Sequence, residues 1–332
     1  MISTKNRDVA IDYFKMFATL LVMNSHAELL YPKYQFLASG GAIADALFMF
    51  CSGFTLFIGT KYNFANYYKR RLTRIIPTMM AVSVLSVLIG FFFYGTRLEG
   101  SNVGLLLTTK NYLYWILLFY IPLYFVRKFL ERMEWVFVAL FIIVSVAYYF
   151  FPFKYETGVK GMWGSLYHDY KWFWYFVIMF FGAFVGKIKD KILLHPIKDC
   201  VLCVLCACGF YIMPALSKWR LEIAPFQFLM IPLLMAFCYY LYKCLNNKVF
   251  KKLYTKPCIN WIVIVIGGLC LESYLIHMNL FTTTLNCLFP FNLVIIYITV
   301  LLAAYVVRCT ARIILQTFQK EDYDWKIVFK VK

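Results

Sequence analysis

The sequence predicts an all-α, polytopic integral membrane protein of about ten transmembrane helices with both termini in the cytoplasm. Three observations predict it. Of 332 residues, 63% are apolar and 20% aromatic while only 15% are charged, well below the roughly 25% charge of a soluble domain. The mean hydropathy is +0.70. The apolar residues also fall into runs of about twenty, the length at which a helix crosses a bilayer. A net charge of +18 would suggest nucleic acid in a soluble chain. Here the basic residues sit in short loops between apolar runs, where they set topology and meet anionic lipid headgroups, so no nucleic-acid partner is expected.

Ten segments are expected near residues 9–30, 42–60, 75–95, 111–127, 135–152, 171–187, 199–216, 225–243, 259–281 and 291–312. Lys5 and Arg7 precede the first run as in a signal peptide. Asp12 and Lys15 interrupt that run and further spans follow, so an uncleaved span is expected. Alternate loops hold 25 of the 34 basic residues, from Lys5 through Lys69 to Lys332, and the opposite set holds eight. That bias puts the richer side, and both termini, in the cytoplasm. A single membrane domain over residues 1–332 is expected, with a short cytoplasmic tail at about 313–332. The outer connection near 153–170 carries Tyr155, Trp163, Tyr167, His168 and Asp169, with Trp172 just beyond. These read as interfacial aromatics or as a sugar-stacking lip.

The eleven cysteines make no disulfide or zinc pattern. Cys200-x-x-Cys203 is half a metal site with no second pair at zinc spacing, so no metal is expected.

The chemistry-bearing residues are the polar ones inside apolar spans, where they are costly and mark functional sites by default. The first span carries Asp12, Lys15, Asn24, His26 and Glu28. On a continuous helix Lys15 and His26 share a face about 16 Å apart along the axis. His26 suits a general base at ordinary pH; the bland alternative is a histidine hydrogen-bonded between helices. Asp12 and Lys15, three positions apart, could also form a plain ion pair. Arg71 and Arg74 share a face where the third span enters the membrane, and their guanidinium forks suit phosphate, although a topogenic cluster would look alike. Ser52-Gly53 reads either as close helix packing or as backbone bared to a substrate. Late in the ninth span, Ser273 and Tyr274 share a face with His277, and Glu272 adds an intramembrane acid.

Together these residues resemble the acyltransferase-3 family of membrane acyltransferases, which includes O-acetyltransferases of bacterial surface polysaccharides. Lys15 and His26 match its basic-x10-His motif, and Arg71-Leu-Thr-Arg74 with Pro77 its R-x-x-R element. Phe48-Met-Phe-Cys-Ser52-Gly53-Phe54 resembles its Phe-Phe-x-x-Ser-Gly-Phe signature, and Tyr274-Leu-Ile-His277 its Tyr-Leu-x-His. Two features depart from the pattern: Ala46 stands where relatives often carry Asp, the acid here being Asp45, and the first motif's basic residue is Lys. No fused SGNH-type hydrolase domain is expected after the last span, unlike in two-domain members.

The resemblance implies acetyl-CoA as acyl donor and co-substrate, a hydroxyl of a surface polysaccharide or lipid-linked glycan as acceptor, and a bacterial cytoplasmic membrane location. It implies His26 as base or acyl carrier, with Lys15, Asp12, Glu272 and His277 as catalytic support. Arg71 and Arg74 would hold the coenzyme's phosphates, and Ser52, Gly53, Ser273 and Tyr274 would line the substrate path. A transporter or flippase for acyl groups or glycolipids, or a non-catalytic part of a polysaccharide-synthesis complex, are the alternatives. Broken half-helices would favour transport.

Overall fold

The computed structural model describes residues 8–58, 63–94, 111–129, 133–150, 170–220, 222–223, 226 and 229–331. Among them there is no β-strand. The helices are α1 (Val9–Ser25), α2 (Gly41–Ile58), α3 (Phe64–Tyr94), α4 (Asn111–Phe129), α5 (Met133–Phe150), α6 (Tyr170–Ile188), α7 (Pro196–Trp219), α8 (Met230–Leu245), α9 (Lys248–Tyr254), α10 (Pro257–Gly268), α11 (Cys270–Ile276), α12 (Phe291–Thr317) and α13 (Trp325–Val328). Four helices among the described residues are long and apolar enough to cross a membrane, at Gln35–Leu56, Phe64–Phe92, Pro196–Ser217 and Phe291–Thr317. A fifth arises if α10 and the segment Cys270–Asn279, bent by 54° at their junction, are one broken span. The structure thus supports a multi-pass all-helical protein with four to five such spans. All ten expected segments contain helix, but the remaining helices do not pass on length and apolarity together. The aromatic outer connection predicted at 153–170 lies outside the described residues.

The chain separates into two compact units, Met1–Phe14, Asp45–Thr60 and Pro122–Asn260 forming one, and Lys15–Ala44, Lys61–Ile121 and Trp261–Lys332 the other.

In the first unit α7 and α8 form a hairpin closed at one end by a buried ion pair. Lys243 Nζ lies 2.6 Å from Asp199 Oδ1, with both side chains almost fully sequestered. The other carboxylate oxygen accepts from the His195 amide at 2.7 Å in front of Pro196, which opens α7. Proline suits that position because its missing amide would have had no partner in the first turn. Helices α2 and α6 approach until backbone meets backbone. A Cβ on Gly53 would run into the Met179 carbonyl, and one on Gly182 into that of Phe50. In an apolar solvent such small-residue contacts replace the hydrophobic effect as the source of helix association. Gly53→Val is therefore expected to lower the melting temperature of detergent-purified protein sharply or to prevent folding, since overpacking costs about 1–3 kcal/mol even where neighbours are side chains that can shift. Ser52→Ala, at the adjacent half-buried position, is expected to leave it near the parent value.

In the second unit α3 and α12 pack lengthwise with α11 against both. The bend between α10 and α11 falls at Gly267-Gly268-Leu269, where glycine weakens the helix.

Candidate active site

All the polar groups that the sequence singles out in its first and ninth spans, apart from Asp12, belong to the second unit, as do Arg71 and Arg74. Helix α1 ends at Ser25, sooner than the twenty-two residues expected, because its polar end makes other bonds. The Asn24 amide donates to Leu37 O at 2.8 Å and Ser39 O at 3.0 Å, while its Oδ1 accepts from Tyr31 Oη at 2.7 Å and Tyr297 Oη at 3.3 Å. The Ser25 hydroxyl turns back to Val22 O at 2.8 Å. His26 therefore stands in the turn just after the helix and is exposed. Two more asparagines tie down the loop that follows: Asn286 donates to Leu29 O and Asn292 to Leu30 O, each at 2.8 Å.

The structure brings His26 and His277 together, with ring centroids 5.1 Å apart. His277 is buried in the turn after α11, its Nδ1 3.0 Å from Ser273 O. A carbonyl oxygen only accepts, so Nδ1 carries a proton, and in the neutral ring Nε2 holds the lone pair. One imidazole is thus exposed, and a second, of fixed tautomer, is buried against it. Tyr274 sits 6.2 Å from His277, ring to ring. Ser273 is fully buried and its hydroxyl makes no hydrogen bond among the described residues.

One turn before, Glu272 is buried and held in a two-pronged pair by Arg308 of α12. Nε donates to Oε1 and Nη2 to Oε2, both at 3.0 Å. Nη2 also bonds the Gly268 carbonyl. In a continuous helix that carbonyl would accept from the amide of residue 272; at the bend the guanidinium takes it, so this acceptor keeps a partner in an apolar region. The pair flanks a cavity of about 430 Å³ lined by Thr73, Arg74, Pro77, Thr78, Gly268, Glu272, Arg308, Ala311, Arg312 and Leu315. Pro77 lies inside α3 and lacks the amide that would bond the Thr73 carbonyl; both residues line the cavity.

The two arginines of the R-x-x-R element part company. Arg74 lines the cavity and its guanidinium makes no hydrogen bond among the described residues, though its charge is felt by Glu272, Cys270 and Tyr120. Arg71 packs between aromatic rings, its Cζ 5.4 Å from the Tyr67 centroid and 5.5 Å from that of Tyr120, a cation–π arrangement that holds its charge in a greasy setting. Lys15 is half-buried and, with Arg74 and Arg308, close enough to Cys270 for its charge to act there.

Asp12, Ser52 and Gly53 belong to the first unit. Asp12 is buried and accepts from Tyr254 Oη at 2.7 Å, while Asp8 accepts from Tyr242 Oη at 3.0 Å. Gly53 has the packing role described above. Asp45, the acid displaced by one position from the signature, accepts from Tyr175 Oη at 3.0 Å.

Sequence reading missed Arg308 and Arg312, which it counted as tail charge. The only signal is that both interrupt the apolar run of α12 at i, i+4 spacing. No group of three or more His, Cys, Asp or Glu side chains that could hold a metal occurs among the described residues.

The fold and site define a multi-pass membrane protein with an exposed histidine against a second histidine, in a unit that also holds an arginine-lined cavity. Residues 8–311 match the acyltransferase-3 family, described as an acyltransferase domain. The chain belongs to that family, and a membrane acyltransferase in general is supported. No curated protein matches, nor does any solved structure.

Because Glu272 and Arg308 are both buried, Arg308→Met is expected to destabilise the protein by about 3–5 kcal/mol, the cost of an unpaired buried charge. Arg308→Met combined with Glu272→Met is expected to restore much of that loss. Thermal unfolding of the two variants in detergent checks this.

Proposed function

We propose that the protein is a membrane O-acyltransferase, an O-acetyltransferase in its favoured form, which moves an acyl group from acyl-CoA to a carbohydrate hydroxyl. The observation that carries the reading is the pairing of His26 with His277 in a unit that also holds a basic cavity. A thioester donor with a phosphorylated handle needs cations for the handle and a base near the acyl carbon. Arg74 supplies the first, and His26, exposed at the end of α1, supplies the second.

His26 takes the proton of the attacking hydroxyl as the oxygen bonds the acyl carbon; the thioester C–S bond breaks and the coenzyme A thiolate leaves, to be protonated by His26. Alternatively, the His26 nitrogen first takes the acyl group with loss of the thiolate and then passes it to the hydroxyl, whose proton goes to the thiolate. His277 supports it from behind, its ring 5.1 Å from that of His26 and its Nδ1 proton held by Ser273 O. Lys15 lies close enough to Cys270 for its charge to act there, and a positive charge in this unit favours an anionic donor. The acceptor is a surface polysaccharide or a lipid-linked glycan, reached in the plane of a bacterial cytoplasmic membrane.

Transport is the second reading, favoured by one observation. The helix broken at Gly268–Leu269 is the kind of discontinuous element from which many transporter sites are built. Purified protein in lipid nanodiscs separates the two. An acyltransferase releases free coenzyme A thiol from acetyl-CoA when a glycan acceptor is added; a transporter consumes none.

His26→Ala is expected to reduce acetyl transfer by at least about a hundredfold, the lower range for loss of a general base, with coenzyme A binding retained. His277→Ala is expected to cost less than His26→Ala and to shift the pH profile of the rate. Thiol release, together with mass spectrometry of surface glycans, checks both. Full activity in correctly inserted His26→Ala protein would defeat the assignment.

A further inference from the structure

The cavity is more basic than the R-x-x-R element alone would make it. Three arginines and one glutamate line it, so two positive charges remain uncompensated within the lining. Arg308 uses Nε and Nη2 on Glu272 and Gly268, which leaves Nη1. Arg74 makes no hydrogen bond among the described residues and is exposed.

Arg312 is held in a different way. Its Nη1 donates to Ile327 O at 2.9 Å, to Val328 O at 3.0 Å and to Lys330 O. Carbonyl oxygens fix the guanidinium but do not neutralise it, unlike the carboxylate that pairs with Arg308. These carbonyls come from the C-terminal segment, which is itself tied back onto α12. Tyr305 Oη donates to Phe329 O at 2.8 Å, the Asp324 amide to Gln316 Oε1 at 2.9 Å, and Asp324 caps α13 through the Ile327 amide at 3.1 Å. The segment contributes backbone acceptors only at Arg312, so it orders that charge at the cavity wall and leaves it available.

We propose that Arg308 and Arg312 bind the donor's phosphates together with Arg74, and that the C-terminal segment, residues 319–331, positions Arg312 for this task. The inference rests on the acyl-CoA reading for the identity of its ligand. Two uncompensated charges and forked donors match the chemistry of a diphosphate or a phosphate dianion. Arg308 and Arg312 stand one helical turn apart on α12, the spacing at which two guanidinium groups meet adjacent phosphate oxygens. Glu272 acts through Arg308 as a positioning residue: it holds the fork and lowers the cavity's charge from three to two.

The test uses the full-length protein in nanodiscs and coenzyme A, 3′-dephospho-coenzyme A and inorganic pyrophosphate as probes, with affinity read by calorimetry. Arg312→Ala is expected to weaken coenzyme A binding by about tenfold or more, as for loss of hydrogen bonds to a charged group. Arg308→Lys, which keeps the charge opposite Glu272 but loses the fork, is expected to weaken it severalfold. Pyrophosphate is expected to compete with coenzyme A in the parent protein and to compete less well in Arg312→Ala. Removal of residues 319–332 is expected to raise the KM for acetyl-CoA severalfold and leave kcat at saturating donor in place, a split that general loss of folding does not produce.

Parent-like affinity in monodisperse Arg312→Ala protein, or failure of pyrophosphate to compete, overturns the phosphate site. Weak binding in Arg312→Ala with an unchanged KM in the shortened chain overturns the role of the C-terminal segment. Absence of acetyl transfer with the Arg312 effect on coenzyme A binding intact rejects the acyltransferase reading and leaves this site standing.

Discussion

The two-pronged contact between Arg308 and Glu272 is the constraint on which the second unit depends. A helix that bends by 54° inside an apolar environment frees a carbonyl from its helical partner, and a backbone group left unsatisfied there costs several kcal/mol. Arg308 meets that carbonyl at Gly268 and takes the Glu272 carboxylate with the same fork. Removing either partner leaves a charge without its counterion, so the bend, the acid and the cation stand or fall together. Because Glu272 is on α11 and Arg308 on α12, the pair also locks the short helix that leads directly to His277.

That dependence explains how much of the site the sequence made legible. Polar residues inside apolar runs are conspicuous whatever their partners, so Lys15, His26, Glu272 and His277 stand out one by one. The contact of His26 with His277 links residues 251 positions apart, and no periodicity reports it. Arg308 was harder still. It sits near the end of the last apolar run, where lysines and arginines ordinarily report only which side of the membrane a loop faces. The same ambiguity hid the difference between Arg71 and Arg74: a three-residue spacing puts both on one face of α3, but only the packed structure decides that Tyr67, one turn back on α3, and Tyr120 of α4 take the first and the cavity the second.

The fold shows a similar division. Helical segments were legible from length and apolarity alone, because a chain in lipid has almost no other way to satisfy its backbone. Their ends were not. The first helix was expected to run past His26, but Asn24 and Ser25 satisfy themselves with loop carbonyls and with the preceding turn, as short polar side chains do when they compete with helix geometry. The consequence is chemical as well as geometric. A histidine on the helix would be confined to one face among apolar neighbours; in the turn it is exposed, and the asparagine ladder through Asn286 and Asn292 still fixes its surroundings.

One short stretch of chain carries both halves of the proposed chemistry. Glu272 on α11 and His277 in the turn just after it are five positions apart, so the residue that sets the arginine cavity and the residue that backs the exposed histidine are joined by a single short run of backbone. Any ligand that displaces Arg308 from Glu272 would disturb α11 and with it the His277 ring. A ligand that binds at Arg74, Arg312 and the remaining edge of Arg308 would leave the pair closed and the imidazole in place. The site therefore favours a donor whose phosphates are gathered without breaking the acid–arginine contact, by the charge that Arg74 and Arg312 add beyond the Glu272–Arg308 pair. Arg312 reaches that state through backbone carbonyls at the far end of the chain, a form of support that orders a cation and keeps its full attraction for an anion.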